Sequence, residues 1–308
     1  MRVQKIAGAQ MGPIQYETDR SSVVQRMMGL MREAHGAGAD IIVYPELALT
    51  TFFPRWYAEH RADMDRWFEK EMPNRHTAPL FDLAREMQIS MTFGYAELTP
   101  EGRHFNTSIL TNKKGEIVVK YRKVHLPGHS EYDPDRSFQH LEKRYFEPGD
   151  LGFQVWRNEG IVTGMAICND RRWPEVYREL GLQGVELITL GYNTPSQNSQ
   201  NEEEKIEKRL FHSDLVMQAG AYQNATFVAG IAKAGMEDGH HLIGGSIIVD
   251  PNGEILARAT TEDDELIVAE ANFAKCEFGK STIFDFARHR RIEHYQRISS
   301  QTGAIVPE

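Results

Sequence analysis

Short apolar runs alternate with amphipathic segments along most of the chain. Residues 3–11, 40–45 and 161–167 are mainly apolar, which is typical of strands buried on both faces of a sheet. Residues 18–36 and 202–222 instead carry apolar side chains at helical spacing, so they predict amphipathic helices. The alternation of these two kinds of segment indicates an α/β fold.

Hairpins are mixed in with these strands and helices. Strands are predicted at 105–112 and 116–124 around a Lys-Lys-Gly turn, and a Pro-Asn-Gly turn at 251–253 joins another pair. We therefore expect a layered α/β sandwich with a mixed sheet rather than an eight-fold barrel. No break in composition divides the chain, so one domain over residues 1–308 is predicted. Its tail, about 280–308, has no apolar period of its own and is expected to dock on the body or on a partner subunit.

Composition and charge limit the classes of partner. The chain has 35 Lys and Arg residues against 44 Asp and Glu residues, a formal net charge of −9, which argues against a nucleic-acid or membrane partner. An anionic small-molecule substrate remains compatible with this charge, because local arginines can outweigh a distant net field. The chain shows no signal-peptide region, no long apolar run and no disulfide framework from its two cysteines. A cytoplasmic location is therefore expected.

Three chemically active residues each stand at the end of a predicted strand. Glu46 follows one buried strand, Lys123 ends the hairpin, and Cys168 follows another buried strand. Each could be ordinary by itself: a helix cap, a surface lysine or a core cysteine. Together they supply a base for the thiol, a cation for an oxyanion and a nucleophile, whose thiolate form the following helix would favour. The backbone N–H of Asn169 would be a second oxyanion donor.

The segments that hold these residues are similar to three motifs of a known family. Tyr-Pro-Glu at 44–46, Tyr-Arg-Lys-Val-His-Leu at 121–126 and Gly-Met-Ala-Ile-Cys-Asn-Asp at 164–170 resemble, in order and spacing, the motifs of the nitrilase superfamily. The resemblance implies hydrolysis of C–N bonds by a Glu-Lys-Cys triad on a four-layer αββα sandwich. It also implies no cofactor, no metal, and a homo-oligomer, either a dimer or a tetramer.

Longer segments resemble one branch of this superfamily, the N-carbamoyl-D-amino acid amidohydrolases. They lie at 47–56, 138–149, 169–175, 191–195 and 217–224. The resemblance implies hydrolysis of N-carbamoyl-D-amino acids to the D-amino acid, ammonia and carbon dioxide. The charged stretch at 196–211 is not similar to this branch, and we interpret its charges at 202–209 as a solvated helix face.

The same resemblance suggests further site residues. Glu142 matches a second glutamate that supports the triad, and His125 and His140 match histidines that line the pocket. Asn169 and Asn193 lie in matching segments and are predicted to contact the substrate.

Two adjacent arginines are predicted to bind the substrate carboxylate. Arg171 and Arg172 follow the nucleophile by three and four residues, and a guanidinium group can bind a carboxylate through two parallel hydrogen bonds. The sequence does not decide which of them makes the contact. The alternative is that either one pairs with a nearby acid such as Asp170 or Glu175.

Other functions remain open from the sequence. His125, His129 and His140 could suggest a metal site, but Pro127 and Gly128 make a helical pair of ligands unfavourable. Another amidase or a ureidopropionase-like enzyme would use the same triad. A binding or scaffold homologue is the non-enzyme alternative, although such homologues have lost a triad residue and this chain has all three.

Overall fold

The computed structural model describes residues 2–198, 200–201 and 203–307. Within these residues the chain forms fifteen strands, eight α-helices and four short 3₁₀-helices. The strands are β1 (Val3–Gln10), β2 (Ile41–Val43), β3 (Phe68–Glu69), β4 (Ser90–Leu98), β5 (His104–Thr111), β6 (Ile117–Arg122), β7 (Val155–Asn158), β8 (Ile161–Ile167), β9 (Leu187–Tyr192), β10 (Phe227–Ala232), β11 (Ala234–Glu237), β12 (His240–Ile243), β13 (Ile247–Val249), β14 (Ile255–Arg258) and β15 (Glu265–Asn272). The α-helices are α1 (Arg20–Gly36), α2 (Ala78–Met87), α3 (Glu142–Tyr145), α4 (Pro174–Leu182), α5 (Ile206–Asn224), α6 (Ala274–Ser281), α7 (Phe286–His289) and α8 (Gln296–Ser300). The 3₁₀-helices are Phe53–Arg55, Arg61–Trp67, Cys168–Arg172 and Ile292–His294.

Two mixed sheets form the centre of the described part of the molecule. The first has the order β15-β1-β2-β4-β5-β6, with β3 added beside β4, and the second has the order β14-β13-β10-β9-β8-β7. The strands β1, β2 and β4 are parallel, as are β8, β9 and β10, whereas hairpins extend both sheets at their edges. The strands β11 and β12 form a separate two-stranded ribbon.

Successive residues of the central strands enter different cores, because side chains alternate across a strand. Ile6 and Ile41 pack with residues of the second sheet. Ala7 and Ile42, one position further along, pack instead with the apolar face of α1. Both faces of these strands are therefore buried, which explains why the strands are mainly apolar in sequence.

A second layer of helices covers the outer face of the second sheet. Leu180 of α4 and Met217 and Ala221 of α5 are fully buried in the core that contains β8, β9 and β10. The order of layers is therefore helices, sheet, sheet, helices. This confirms the layered α/β sandwich predicted from the sequence pattern and the four-layer αββα order that the family resemblance implies.

Some predicted elements differ from the observed ones. The sequence pattern also predicts a helix at residues 63–70, but Arg61–Trp67 is a 3₁₀-helix and the chain then enters β3. The apolar pattern at 242–249 predicts a single strand, but β12 and β13 are separated by Gly244 and Gly245, whose φ angles are +58° and +77°. These left-handed angles suit glycine and end the extended strand, which a hydrophobicity pattern does not report.

The tail contacts its own domain but leaves apolar side chains exposed. Phe284 packs edge-on against Tyr222 of α5, and the Arg178 guanidinium lies over the ring of Phe286. Ile292 and Ile298 are 68% and 65% exposed. Docking of the tail on its own body is therefore only partial. Within the described residues, no helix is long and apolar enough to cross a membrane.

Candidate active site

A buried lysine lies between two buried glutamates at one edge of the paired sheets. Glu46 follows β2, Lys123 follows β6, and Glu142 begins α3. The Lys123 Nζ atom donates to Glu46 Oε1 at 2.7 Å and to Glu142 Oε2 at 2.6 Å, and all three side chains are fully buried. The structure thus brings together three residues that are widely separated in sequence.

Glu46 is fixed by both its side chain and its backbone. Asn106 Nδ2 donates to Oε1 at 2.6 Å, the Asn193 backbone N–H donates to Oε2 at 3.0 Å, and Asn193 Nδ2 donates to the Glu46 carbonyl at 2.9 Å. Gly94 and Gly191 lie directly against this backbone, so an added Cβ would come within 2.7 Å of Glu46 Cα or 2.5 Å of Glu46 N. Only glycine allows so close an approach.

Cys168 occupies a strained position at the start of a 3₁₀-helix. Its φ angle is +47°, in the left-handed region that a side chain disfavours. Asp170 holds the turn, because its Oδ2 accepts from the Ile167 N–H at 3.0 Å and from the Tyr121 hydroxyl at 2.7 Å. Cys168 Sγ lies 3.5 Å from the Asn193 carbonyl oxygen. The strained backbone directs the Cys168 thiol toward the site. The hydrogen bonds of Asp170 stabilise this conformation from outside the site.

The two glutamates have opposite pKa shifts. Burial raises the pKa of Glu46, with a further contribution from the Glu142 charge, and Lys123 only partly offsets this. Burial acts in the same direction on Glu142, but Lys123 and His140, whose Nε2 lies 3.0 Å from Glu142 Oε1, outweigh it and lower the pKa. Glu142 therefore remains a carboxylate, and Glu46 is the better placed of the two to accept a proton.

Lys123 keeps its positive charge in this environment. Burial alone would lower its pKa, but the charge of Cys168 in its thiolate form and the charges of Glu142 and Glu46 raise it above the ordinary value. A buried ammonium group that cannot lose its proton is suited to stabilising an oxyanion.

The thiol of Cys168 is protonated at neutral pH. Burial, followed by the charge of Glu46, raises its pKa to about 11, and Lys123 and Arg171 only partly offset this rise. Lys123 does favour the thiolate, but burial and a nearby carboxylate outweigh its effect on the pKa of Cys168. The thiol must lose its proton as it attacks, and Glu46 is the base available to accept it.

A cavity of about 40 Å³ opens at Cys168. Of the residues predicted from the sequence, Asn169, His140, Asn193 and Arg172 line it. The remaining lining residues are Pro127, Gly128, Thr194, Pro195, Gln197, Asn198, Gln200 and Arg209.

His125 is not among the residues that line this cavity, and its predicted contact with the substrate stays a prediction. Its Nδ1 lies 2.9 Å from Asp170 Oδ1, and its backbone N–H donates to the same oxygen at 3.0 Å. Its ring stacks on Trp173, with the centroids 4.8 Å apart. His125 therefore supports the nucleophile turn through Asp170.

Arg171 and Arg172 occupy different places. Arg171 is 2% exposed, and its Nη1 and Nη2 donate to the Cys168 carbonyl at 2.7 Å and to Thr194 Oγ1 at 2.9 Å. Its guanidinium also lies over the Tyr192 ring. Arg171 therefore supports the nucleophile turn, its Nη1 lies 3.8 Å from Cys168 Sγ, and it does not line the cavity. Its contact with the substrate stays a prediction. Arg172 does reach the cavity.

Arg209 is a site residue that the sequence analysis missed. It was interpreted as part of a solvated helix face, but it is 7% exposed and lines the cavity. Ser213 and Met217 follow it at intervals of four residues on the buried face of α5. That spacing was visible in the sequence and could have placed Arg209 on the inner face.

The histidines of the site do not form a metal cluster. Within the described residues, no group of three or more His, Cys, Asp or Glu side chains is arranged to hold a metal ion. His140 contacts Glu142, and its backbone N–H donates to His129 Nε2 at 3.4 Å.

The chain is similar in sequence to known proteins and to one family model. A model of the carbon-nitrogen hydrolase family matches residues 5–280. The chain is 28% identical to a nitrilase of Pyrococcus abyssi (strain GE5 / Orsay), covering 95% of this chain and 99% of that protein. It is also 28% identical to an N-carbamoylputrescine amidase of Arabidopsis thaliana, covering 93% of each. None of these names specifies an N-carbamoyl-D-amino acid, so that substrate remains a prediction.

Solved structures share the fold. The chain resembles a carbon-nitrogen hydrolase from Helicobacter pylori G27 with a TM-score of 0.82, 24% identity and coverage of 97% of this chain and 99% of that one. It also resembles an amidase from Nesterenkonia sp. with a TM-score of 0.72, 21% identity and coverage of 96% of each. At this level of identity the likeness supports the fold alone.

Replacing the nucleophile should abolish turnover without unfolding the protein. Cys168→Ala and Cys168→Ser should both show no measurable hydrolysis, because neither side chain can form the thioester. Cys276→Ala is the matched control, because Cys276 lies in the core and donates to the Glu186 carbonyl. It should keep nearly full activity. A Cys168→Ala protein with a tenth of wild-type activity would contradict the assignment.

The raised pKa predicts slow alkylation of Cys168 at neutral pH. Because the pKa is about 11, the thiolate fraction and the iodoacetamide rate should both rise about tenfold per pH unit between pH 7 and pH 9. Peptide mapping by mass spectrometry separates Cys168 from Cys276. A rate that is already maximal at pH 7 would mean that the resting nucleophile is a thiolate.

Proposed function

This chain belongs to the carbon-nitrogen hydrolase family, and we propose that it hydrolyses N-carbamoyl-D-amino acids to the D-amino acid, ammonia and carbon dioxide. The observation that carries this proposal is Arg172, which lines the same cavity as Cys168. A carbamoyl amino acid has a carboxylate one carbon away from its reacting ureido nitrogen. A simple amide or nitrile needs no cation at this position.

The first half of the proposed reaction transfers the carbamoyl group to the enzyme. Cys168 Sγ attacks the carbamoyl carbon while Glu46 accepts the thiol proton. Lys123 Nζ and the Asn169 backbone N–H stabilise the oxygen anion of the tetrahedral intermediate. The C–N bond to the amino acid then breaks, and Glu46 returns the proton to the departing amine. The products of this half are the free D-amino acid and a carbamoyl thioester.

The second half releases the carbamoyl group. Water attacks the thioester carbon, Glu46 removes a proton from the water, and the C–S bond breaks as the proton returns to the sulfur of Cys168. The carbamic acid formed decomposes to ammonia and carbon dioxide. Glu142 remains ionised throughout and holds Lys123, since its pKa is lowered by Lys123 and His140 despite its burial.

The relative from Arabidopsis thaliana suggests a second candidate, N-carbamoylputrescine. That compound has the same ureido group but ends in an ammonium group instead of a carboxylate. Arg172 and Arg209 both line the cavity, and their positive charges would repel the ammonium group. The charge of the cavity therefore favours the carbamoyl amino acid. Another amidase and a ureidopropionase-like enzyme remain alternatives that differ in the presence or position of the carboxylate.

A substrate panel with one arginine variant tests this function. Wild type should prefer N-carbamoyl-D-alanine to its L enantiomer, to N-carbamoyl-β-alanine, to N-carbamoylputrescine and to simple amides, as measured by ammonia release. Arg172→Gln should lower kcat/KM for N-carbamoyl-D-alanine by about 10- to 100-fold, since a charged hydrogen bond is lost. Arg172→Lys should recover little of this loss, because the planar fork is absent.

Arg157→Gln is the matched control, because it removes an arginine on the exposed edge strand β7. It should behave as wild type. Equal kcat/KM of wild type and Arg172→Gln on N-carbamoyl-D-alanine would remove the main support for this substrate. Faster turnover of N-carbamoylputrescine would favour the second candidate.

We also propose that the protein forms a homo-oligomer. Phe211 and Leu215 of α5 are 59% and 49% exposed, and Ile292 and Ile298 of the tail are also exposed. Apolar surface of this kind is a common feature of subunit contacts. Light scattering at micromolar concentration should give a dimer or a larger species, and Ile292→Asp should shift the distribution toward monomer. A monodisperse wild-type monomer would contradict the proposal.

A further inference from the structure

Arg209 is a buried cation with unused hydrogen-bonding capacity. Its side chain is 6% exposed, and its Nη1 donates to Glu204 Oε2 at 3.2 Å. Its Nε atom is buried without a hydrogen-bond partner in the described part of the chain. The side chain lines the same cavity as Cys168. A buried guanidinium with free donors is unfavourable unless an anion completes its environment.

A second buried arginine, Arg55, differs from Arg209 in its hydrogen-bond partners. Arg55 is 4% exposed, and each of its three side-chain nitrogens has a partner. Nη2 pairs with Glu237 Oε1 at 2.7 Å, Nη1 donates to the Glu237 carbonyl, and Nε donates to the Phe52 carbonyl at 3.0 Å. Arg55 therefore has no capacity left for a ligand, whereas Arg209 does.

The carboxylate beside Arg209 is shared with other groups. Glu204 also accepts from Asn198 Nδ2 at 2.8 Å and contacts His212 Nδ1 at 3.1 Å. Arg172 lines the cavity with Arg209, and it has no hydrogen bond within residues 2–198, 200–201 and 203–307. Among the described residues, Glu204 is the carboxylate beside these two guanidinium groups, so the described charges leave one positive charge at the cavity wall.

Two arginines that line one cavity can bind the same anion. One carboxylate has two oxygen atoms, and each can accept from a different guanidinium. Arg172 enters from the turn after β8 and Arg209 from α5, so they approach from different elements.

We propose that Arg209 binds the substrate α-carboxylate together with Arg172 and is a specificity-determining residue. The inference rests on the proposed function and replaces Arg171, whose Nη donors are already used, as the second carboxylate-binding arginine. Because the two arginines stand on different elements, they fix the carboxylate at one distance from Cys168. This geometry selects an α-carbamoyl acid over one whose carboxylate lies a carbon further from the ureido group.

The test compares a charged and an uncharged substrate that share the ureido group. The pair is N-carbamoyl-D-alanine and N-carbamoyl-D-alaninol, in which a hydroxymethyl group replaces the carboxylate. Arg209→Gln should lower kcat/KM for the first by about 10- to 100-fold and alter that for the second by less than about threefold. Lys208→Gln is the matched control, because it removes an exposed charge from the same turn of α5, and it should change neither.

A double variant tests whether both arginines bind one group. The combined loss in Arg172→Gln/Arg209→Gln should be smaller than the product of the two single losses, because the variants remove contacts to the same carboxylate. Calorimetry on the Cys168→Ala protein gives the same comparison for binding alone, without turnover. Arg209→Lys should bind more tightly than Arg209→Gln and less tightly than the unmodified arginine.

The outcomes separate this inference from the proposed function. If wild type hydrolyses N-carbamoyl-D-alanine and Arg209→Gln is unchanged, the role of Arg209 is overturned and the proposed function stands. Equal losses on the charged and uncharged substrates would also overturn the inference, because they would show a structural role. If wild type hydrolyses no carbamoyl amino acid, both the inference and the proposed function fail.

Discussion

The buried ion cluster of Lys123 with Glu46 and Glu142 is the interaction on which the rest of the site depends. Placing three charges in a protein interior carries a large desolvation cost, which is tolerated only when the hydrogen bonds are satisfied. Here Asn106 and Asn193 donate hydrogen bonds to the Glu46 carboxylate, and His140 contacts the Glu142 carboxylate. The cluster contains two negative charges and one positive charge, so its proton affinity is high at Glu46. Because Glu46 has a high proton affinity, its buried carboxylate can accept the proton of the neutral Cys168 thiol.

The turn that contains Cys168 has a strained backbone, and side chains outside the ion cluster stabilise it. Cys168 has a positive φ, and the bonds that maintain it come from Asp170 and Arg171. Both side chains are buried, and neither lines the cavity. Tyr121 and His125 join the same network through Asp170. Asp170 and Arg171 therefore stabilise the geometry of the nucleophile, whereas Asn169 and Arg172 of the same turn line the cavity.

Arg171, Arg172 and Arg209 have different roles, because they differ in burial and in hydrogen-bond partners. Arg171 is buried with neutral oxygen acceptors and a tyrosine ring, so its charge strengthens the field at the thiol without facing the substrate. Arg172 and Arg209 face the cavity. Under the proposed function, the positive charge of this cavity wall would favour a carboxylate substrate over a cationic one.

The sequence by itself determined the layered fold, most of its strands and helices, and the order of Glu46, Lys123 and Cys168. It could do so because both-face burial of strands and the position of a polar residue at a strand end are local properties. Only the tertiary structure decided the pKa of Cys168, the inward direction of Arg171 and the place of Arg209 at the cavity. Each of these depends on burial and on charges contributed by distant segments. A helix pattern shows which residues share a face, but whether an arginine on that face finds a partner depends on what packs opposite to it.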